Sequence, residues 1–297
     1  MVKIDLITGF LGSGKTTFLI EYAKYLMAKG ERICILENDY GPINVDMMLI
    51  EELGCDREMV SGGCDYDCHL RRFRTKLIAM GMKRYDRVIV EPSGIYDTDE
   101  FFDVLYEDPV CDMYEIGNIF CLYDIKLHDL SYESKYVLTS EMACCGKLIV
   151  TKRDKQDIKV DLDYINNILE EFKCIRKFSE SDIMYNDNLD FDLLSHASYH
   201  NYDYIKVMIH DDNNYDSLYY TDKDYTVADI INKKNILFNS DYGNIVRIKG
   251  FILEDGWKEI NLTKDEEEIH PILNGQKVII VIGENLDKEK INKVMEA

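Results

Sequence analysis

The sequence has no uninterrupted apolar segment that approaches the roughly 18 residues from which a membrane-spanning helix is recognised. The N-terminus also lacks the charged and then apolar pattern of a secretory leader. Together these absences predict a cytoplasmic protein with no membrane partner.

Basic residues are scarce relative to acidic ones. The chain has 35 Lys and Arg against 56 Asp and Glu, which gives a formal net charge of −21. Because DNA, RNA and acidic membranes are polyanions, this charge predicts that nucleic acid is not a partner. A basic protein or a metal cation is more compatible with such a surface.

The cysteines do not form an obvious disulfide framework. There are nine of them in 297 residues, and an odd number without a leader predicts reduced thiols that serve packing or metal binding. Cys34 and Cys121 lie in apolar, strand-like runs, which predicts small core residues. Cys144 and Cys145 are predicted to pack at the end of a helix.

The most specific motif is the glycine-rich stretch at residues 9–16, Gly-Phe-Leu-Gly-Ser-Gly-Lys-Thr. It follows an apolar strand-like run and opens a helical pattern that ends near Gly30. This context predicts a P-loop, in which backbone N–H groups and a helix N-terminus bind the phosphates of a nucleoside triphosphate. We expect Lys15 to reach the β and γ phosphates and the Thr16 hydroxyl to ligate Mg²⁺. The predicted nucleotide-binding residues of this loop are Gly12, Ser13, Gly14, Lys15, Thr16 and Thr17.

Acidic residues follow two further predicted strands. Glu37 and Asp39 end the first, and Glu91 ends the second, shortly before Gly94. In doubly wound sheets the carboxyl ends of parallel strands carry the ligands, so these acids should lie beside the phosphates. An apolar strand that ends in an acid and then a glycine is typical of a Walker B segment.

These acids supply the predicted catalytic set. We expect Glu91 to ligate Mg²⁺ and the N–H of Gly94 to meet the γ-phosphate. The catalytic residues predicted from the sequence are Lys15, Glu37, Asp39 and Glu91. Which of the three acids positions the attacking water stays open at this stage.

A fifth strand-like run leads into Thr151-Lys152-Arg153-Asp154. A carboxylate at Asp154 can accept both the N1–H and the N2 amino protons of guanine, and adenine presents no such pair of donors. The stem of Lys152 would pack along the base. This loop therefore predicts GTP as the nucleotide.

The order of elements predicts an α/β fold. Residues 1–180 are predicted to form a P-loop NTPase domain with a mostly parallel sheet flanked by helices. An Asp- and Asn-rich segment predicts a linker at 181–202. Residues 203–297 are predicted to form a smaller α+β C-terminal domain with an antiparallel sheet, in which 203–210 is the first strand.

These stretches together resemble the CobW-type subfamily of P-loop GTPases, relatives of the GTPases that insert nickel into urease and hydrogenase. Residues 9–17 are similar to the family's P-loop almost letter for letter, and 35–41 resemble its second-strand acidic motif. The segment 91–94 resembles its Glu-x-x-Gly end of Walker B, and 151–154 its Asn-Lys-x-Asp base loop with Thr in the first place. The segments 246–251 and 281–287 resemble two parts of the family's C-terminal domain.

The resemblance implies GTP hydrolysis coupled to the handling of a transition metal or metallocofactor. The implied partner is a client metalloprotein or a cofactor-assembly protein. In place of the family's Cys-x-Cys-Cys motif this chain has Gly-Cys-Asp-Tyr-Asp-Cys at 63–68, and Pro42 stands where an acid is often found. Cys64 and Cys68 are the predicted ligands for Zn²⁺, Co²⁺, Ni²⁺ or Fe²⁺, with Asp65, Asp67 and His69 within reach.

Two other classes of function stay open from the sequence. One is a nucleotide-regulated binding switch that carries no metal, and the other is a P-loop kinase for a small molecule. The loop at 151–154 argues against the kinase, since kinases typically use ATP. The metal, the client and the formation of a homodimer also stay open.

Overall fold

The computed structural model describes residues 1–39, 53–61, 66–128, 130–153, 159–206 and 215–296. These residues fall into two compact units, the first reaching to residue 206 and the second starting at residue 215. No helix in these ranges is both long and apolar enough to cross a membrane.

Strands and helices alternate through the first unit. Its strands are β1 (Val2–Gly9), β2 (Ile33–Asp39), β3 (Asp56–Ser61), β4 (Arg87–Pro92), β5 (Tyr114–Asp124), β6 (Lys147–Thr151) and β7 (Ile183–Tyr185). Its α-helices are α1 (Lys15–Ala28), α2 (Tyr66–Gly81), α3 (Asp99–Leu105), α4 (Tyr132–Cys144), α5 (Leu162–Glu171) and α6 (Phe191–Leu194). Short 3₁₀ helices cover Val110–Asp112 and Glu180–Asp182.

The strands of the first unit form one parallel sheet. Their order is β3-β2-β4-β1-β5-β6-β7, and every pairing between neighbours is parallel. Parallel strands need crossover connections that cover both faces of the sheet, so their sequences read as continuous apolar runs. The α/β P-loop fold predicted from the sequence is confirmed.

Helices cover both faces of this sheet. Val88 and Val90 pack in a core that includes Phe73 of α2 and Phe101 of α3. Ile89, between the two valines, packs on the other face against α1. Because successive strand residues point to opposite faces, one apolar run serves both cores. This packing fixes the carboxyl ends of β1, β2 and β4 beside each other.

Two features of the first unit differ from the sequence prediction. Strand β3 was not predicted, because its sequence, Asp-Arg-Glu-Met-Val-Ser, has few apolar residues, as an edge strand allows. The predicted linker at 181–202 is also corrected. It contains β7, which pairs with β6, and α6, whose Leu194 is buried in the α1 core. This segment therefore belongs to the first unit.

The described part of the second unit is a five-stranded antiparallel sheet with two helices. Its elements are β8 (Tyr215–Thr221), α7 (Val227–Leu237), β9 (Asn244–Leu253), β10 (Trp257–Leu262), β11 (Glu267–Ile272), β12 (Val278–Glu284) and α8 (Lys288–Glu296), and the strand order is β11-β10-β9-β12-β8. The predicted α+β unit is confirmed. The first strand predicted at 203–210 is wrong as far as it is described, because 203–206 have no regular structure; residues 207–210 lie outside the described ranges.

Candidate nucleotide-binding site

The P-loop connects β1 to α1 at the carboxyl edge of the parallel sheet. Gly14 is the N-cap of α1 and has φ 89°, a left-handed backbone conformation that favours glycine. In the described part of the chain, no side chain caps this helix and its first turn has no acidic residue. By contrast, Ser131 caps α4 and Asp161 caps α5. The start of α1 is thus of the kind that suits an anion.

A hydroxyl and a carboxylate meet at the first turn of α1. The Oγ1 of Thr16 donates a hydrogen bond to Oε1 of Glu91 at 2.8 Å. Glu91 is only 4% exposed and lies near the end of β4. Both groups are hard oxygen ligands of the kind that Mg²⁺ prefers. The structure therefore brings together the two residues predicted as Mg²⁺ ligands.

The second-strand acids lie next to this pair. Glu37 is 3% exposed and stands opposite Glu91 in the register of β2 and β4. Asp39 is the last residue of β2, and the structure describes its backbone only. Glu37 thus reaches the same edge of the sheet as Glu91.

The predicted phosphate ligand Lys15 folds back onto its own loop. Its Nζ donates to the carbonyl oxygen of Gly9 at 2.9 Å, and the side chain is largely buried. Ser13 is buried within the loop, whereas Thr17 is exposed on α1. Lys15 can exchange the carbonyl of Gly9 for phosphate oxygens, because both accept hydrogen bonds from an ammonium.

Gly94 lies against the P-loop. A Cβ at this position would stand 2.7 Å from both N and Cα of Leu11, closer than any side chain tolerates. Only a glycine lets the backbone that follows β4 approach the loop this closely. The predicted γ-phosphate contact is therefore placed beside the P-loop.

The loop that follows β6 is attached to the P-loop by Thr151. Its Oγ1 donates to the carbonyl oxygen of Ser13 at 2.8 Å. The next residue, Lys152, has φ 54° and pairs with Asp124 at the end of β5 with an N–O distance of 3.2 Å. Asp154, the predicted guanine ligand, lies outside the described residues. The described residues of this loop therefore lie beside the P-loop.

The predicted transition-metal segment is only partly described. Cys64 and Asp65 lie outside the described residues, and Cys68 is partly buried in the first turn of α2. His69, predicted to lie within reach of the metal, is 0% exposed, and its Nε2 lies 2.8 Å from Oδ1 of Asn38. Within the described ranges no group of three or more His, Cys, Asp or Glu side chains could hold a metal ion.

Four other cysteines are buried packing residues. Cys34 and Cys121 are buried in the sheet, and Cys144 and Cys145 are buried at the end of α4, as predicted. Burial has the largest effect on the pKa of Cys145 and raises it, but the hydrogen bond from Cys121 and the charge of Arg176 together lower this pKa to about 7. The guanidinium of Arg176 lies against the thiol of Cys145.

Sequence reasoning missed Glu141, a carboxylate directly beneath the P-loop. Its Oε1 accepts hydrogen bonds from Oγ1 of Thr8 at 2.8 Å and from N of Gly9 at 3.1 Å. Burial is the largest cause that raises the pKa of Glu141 to about 8, and the positive charge of Lys15 opposes it. The signal that could have indicated Glu141 is an acid inside helix α4, most of whose residues are buried.

Comparison with known proteins places this site in context. A family model described as the CobW/HypB/UreG nucleotide-binding domain matches residues 3–180. The zinc chaperone YjiA of Escherichia coli (strain K12) is 24% identical over 162 residues, which are 52% of this chain and 50% of that protein. The zinc chaperone YeiR of the same organism is 25% identical over 157 residues, or 52% of this chain and 48% of that protein.

The chain spans about half the length of the curated relatives it matches. Among solved structures, the Zn(II)-bound YjiA GTPase from E. coli aligns with 99% of this chain and 98% of its own, at a TM-score of 0.40 and 18% identity.

Proposed function

The chain belongs to the CobW/HypB/UreG family of nucleotide-binding domains, and from this premise we propose that it binds and hydrolyses GTP to drive the delivery of a transition metal. The observation that carries the nucleotide half is the hydrogen bond between Thr16 and Glu91 at the uncapped start of α1. It joins an oxygen ligand set for Mg²⁺ to a helix N-terminus suited to phosphates.

Thr16 and Glu91 are the residues that would hold Mg²⁺. When bound, the ion would neutralise charge on the β and γ phosphates. Lys15 moves from the carbonyl of Gly9 to the same phosphates, where its ammonium stabilises the negative charge of the transition state. Glu37 or Asp39 positions the attacking water, since both are delivered by β2 to the edge where Glu91 ends β4.

Guanine is the proposed base. Lys152 follows the anchored Thr151, and its left-handed backbone turns the chain as the loop leaves β6. Asp154 would accept the two donors of the guanine edge, an interaction that adenine cannot make.

The cargo we propose is a divalent transition metal, and zinc is favoured because the two Escherichia coli relatives compared above are named zinc chaperones. Cys64 and Cys68 are the proposed thiolate ligands, a choice that suits Zn²⁺, Co²⁺, Ni²⁺ and Fe²⁺ but not Mg²⁺. The recipient would be a client metalloprotein or a cofactor-assembly protein.

Phosphate release from GTP and Mg²⁺ tests the enzymatic half. Lys15→Ala removes the ammonium from the phosphates, so the rate should fall by a factor on the order of 10² to 10³. Lys24→Ala, the same substitution at an exposed position of α1, is the matched control and should leave the rate unchanged. Release without any added acceptor distinguishes hydrolysis from transfer by a kinase. Wild-type turnover by a folded Lys15→Ala protein would contradict the proposal.

A further inference from the structure

Glu141 and Lys15 hold Gly9 from two sides. The carboxylate of Glu141 accepts from the N–H of Gly9, and the ammonium of Lys15 donates to the carbonyl of the same residue. Gly9 is the first residue of the P-loop and also the last of β1. Glu141, which is not one of the proposed nucleotide ligands, therefore helps to hold the start of the P-loop in place on the sheet.

Only one of the two carboxyl oxygens of Glu141 has hydrogen-bond partners among the described residues. Its Oε1 accepts two hydrogen bonds, whereas its buried Oε2 has no hydrogen-bond partner among the described residues. Burying a carboxylate oxygen without a partner is costly, but a protonated oxygen carries no charge to desolvate. The site thus accommodates the neutral acid as well as the anion.

Lys15 is the cation with the largest effect on the charge of Glu141, and it favours the anion. The element β1 contributes hydrogen bonds from Thr8 and Gly9 that favour the anion. The titratable groups that act on it are Lys15 of α1, Cys121 of β5, Cys144 of α4 and Cys145, which follows that helix. Since thiols are neutral or anionic, they do not favour the anion of Glu141, which is stabilised first by the ammonium of Lys15 and then by the hydrogen bonds from Thr8 and Gly9.

We propose that Glu141 is a positioning residue of the P-loop that takes up a proton when the nucleotide binds and releases it when the nucleotide leaves. The inference rests on the proposed function, because it requires Lys15 to turn toward phosphates. Once the ammonium is paired with phosphate oxygens, its charge no longer favours the carboxylate. A proton from the buffer then adds to Oε2, and no other bond is made or broken.

The sign of the pH dependence follows. The pKa of Glu141 in the free protein is already raised by burial to about 8, and loss of the Lys15 charge raises it further. The nucleotide complex therefore binds more protons than the free protein above about pH 8. Affinity should fall as the pH rises through this range, by at most about tenfold for each pH unit.

Titration calorimetry with GDP and Mg²⁺ tests this proposal in the full chain. Heats measured in two buffers of different ionisation enthalpy, from about pH 7 to about pH 9, give the number of protons taken up on binding. Glu141→Gln keeps the acceptor oxygen and cannot titrate, so the uptake assigned to Glu141 should vanish. Asp103→Asn makes the same chemical change at an exposed position of α3 and should behave as the wild type.

Infrared difference spectra recorded at about pH 9, where the free protein should hold Glu141 largely as the anion, give a direct readout. Addition of GDP to the wild type should produce a carboxylic-acid C=O band that is absent in Glu141→Gln. Equal proton uptake in the wild type and Glu141→Gln, or no such band in the wild type, would overturn the inference while leaving nucleotide binding intact. Failure of the wild type to bind GDP at all would overturn the proposed function and this inference with it.

Discussion

Thr16 and Glu91 lie 75 positions apart in sequence, yet a single hydrogen bond joins them. Thr16→Ala removes a proposed Mg²⁺ ligand and should lower the GTP hydrolysis rate by about 10²-fold, since such an ion contributes several kcal/mol of charge stabilisation. Thr16→Ser retains the hydroxyl and should recover most of the rate. The measurement is phosphate release as a function of Mg²⁺ concentration. Equal rates for the Ala and Ser variants would remove this hydroxyl from the site.

A buried ion pair joins β1, the strand that leads into the P-loop, to β4. The Nη1 of Arg87 lies 2.9 Å and 2.7 Å from the two carboxylate oxygens of Asp5, and both side chains are almost fully buried. Arg87→Met leaves Asp5 without its cation and should lower the free energy of unfolding by about 3 to 5 kcal/mol. Combining it with Asp5→Asn should recover part of this loss, because no buried charge then remains.

Urea denaturation measures this effect, and an exposed pair supplies the control. Arg32 pairs with Asp56, and the two side chains are 58% and 56% exposed. Arg32→Met should cost at most about 1 kcal/mol. If the two Arg→Met variants were equally stable, burial would not be the source of the energy at Arg87.

At the scale of elements, the loop after β6 contains both a residue that is hydrogen-bonded to the P-loop and the proposed guanine ligand. Thr151 attaches the loop to Ser13, and Asp154 is the proposed guanine ligand. Asp154→Asn should weaken GTP binding by about 1.5 to 3 kcal/mol, because a charge-assisted pair is lost. The same change should strengthen binding of xanthosine triphosphate, whose C2 oxygen can accept from the new amide. Direct titration of the wild type and Asp154→Asn with GTP and with xanthosine triphosphate measures both changes in affinity. Equal affinity of the wild type for ATP and GTP would contradict the assignment of guanine as the base.

The elements that the sequence predicts well are those with local signals. The P-loop and the mostly parallel sheet are predicted from glycine spacing and apolar runs, each read within about ten residues, whereas the order of the strands in the sheet is not. Strand β3 has no such apolar run, and its pairing with β2 depends on tertiary structure that no local pattern indicates. The roles of His69 and Glu141 also depend on tertiary contacts, with Asn38 and with Thr8. No local pattern distinguishes a buried, bonded histidine from a metal ligand.

At the scale of the whole molecule, the proposed cargo site must communicate with the nucleotide site. A hydrogen bond between described residues connects the two segments directly. His69, the neighbour of Cys68, is bonded to Asn38, the neighbour of Glu37. A shift at the end of β2 would therefore move the first turn of α2, which carries Cys68.

Metal affinity and nucleotide state should consequently be coupled in both directions. An anaerobic Co²⁺ titration, followed by its thiolate charge-transfer band, should give affinities about 5- to 150-fold apart with GDP and with a non-hydrolysable GTP analogue. Affinity should rise with pH, since each thiol loses a proton to bind. Cys64→Ser/Cys68→Ser should abolish the band, whereas Cys111→Ser, a change at a cysteine outside this segment, should not. A band that survives the double substitution would place the metal elsewhere, and equal affinities in both nucleotide states would remove the coupling even where the metal binds.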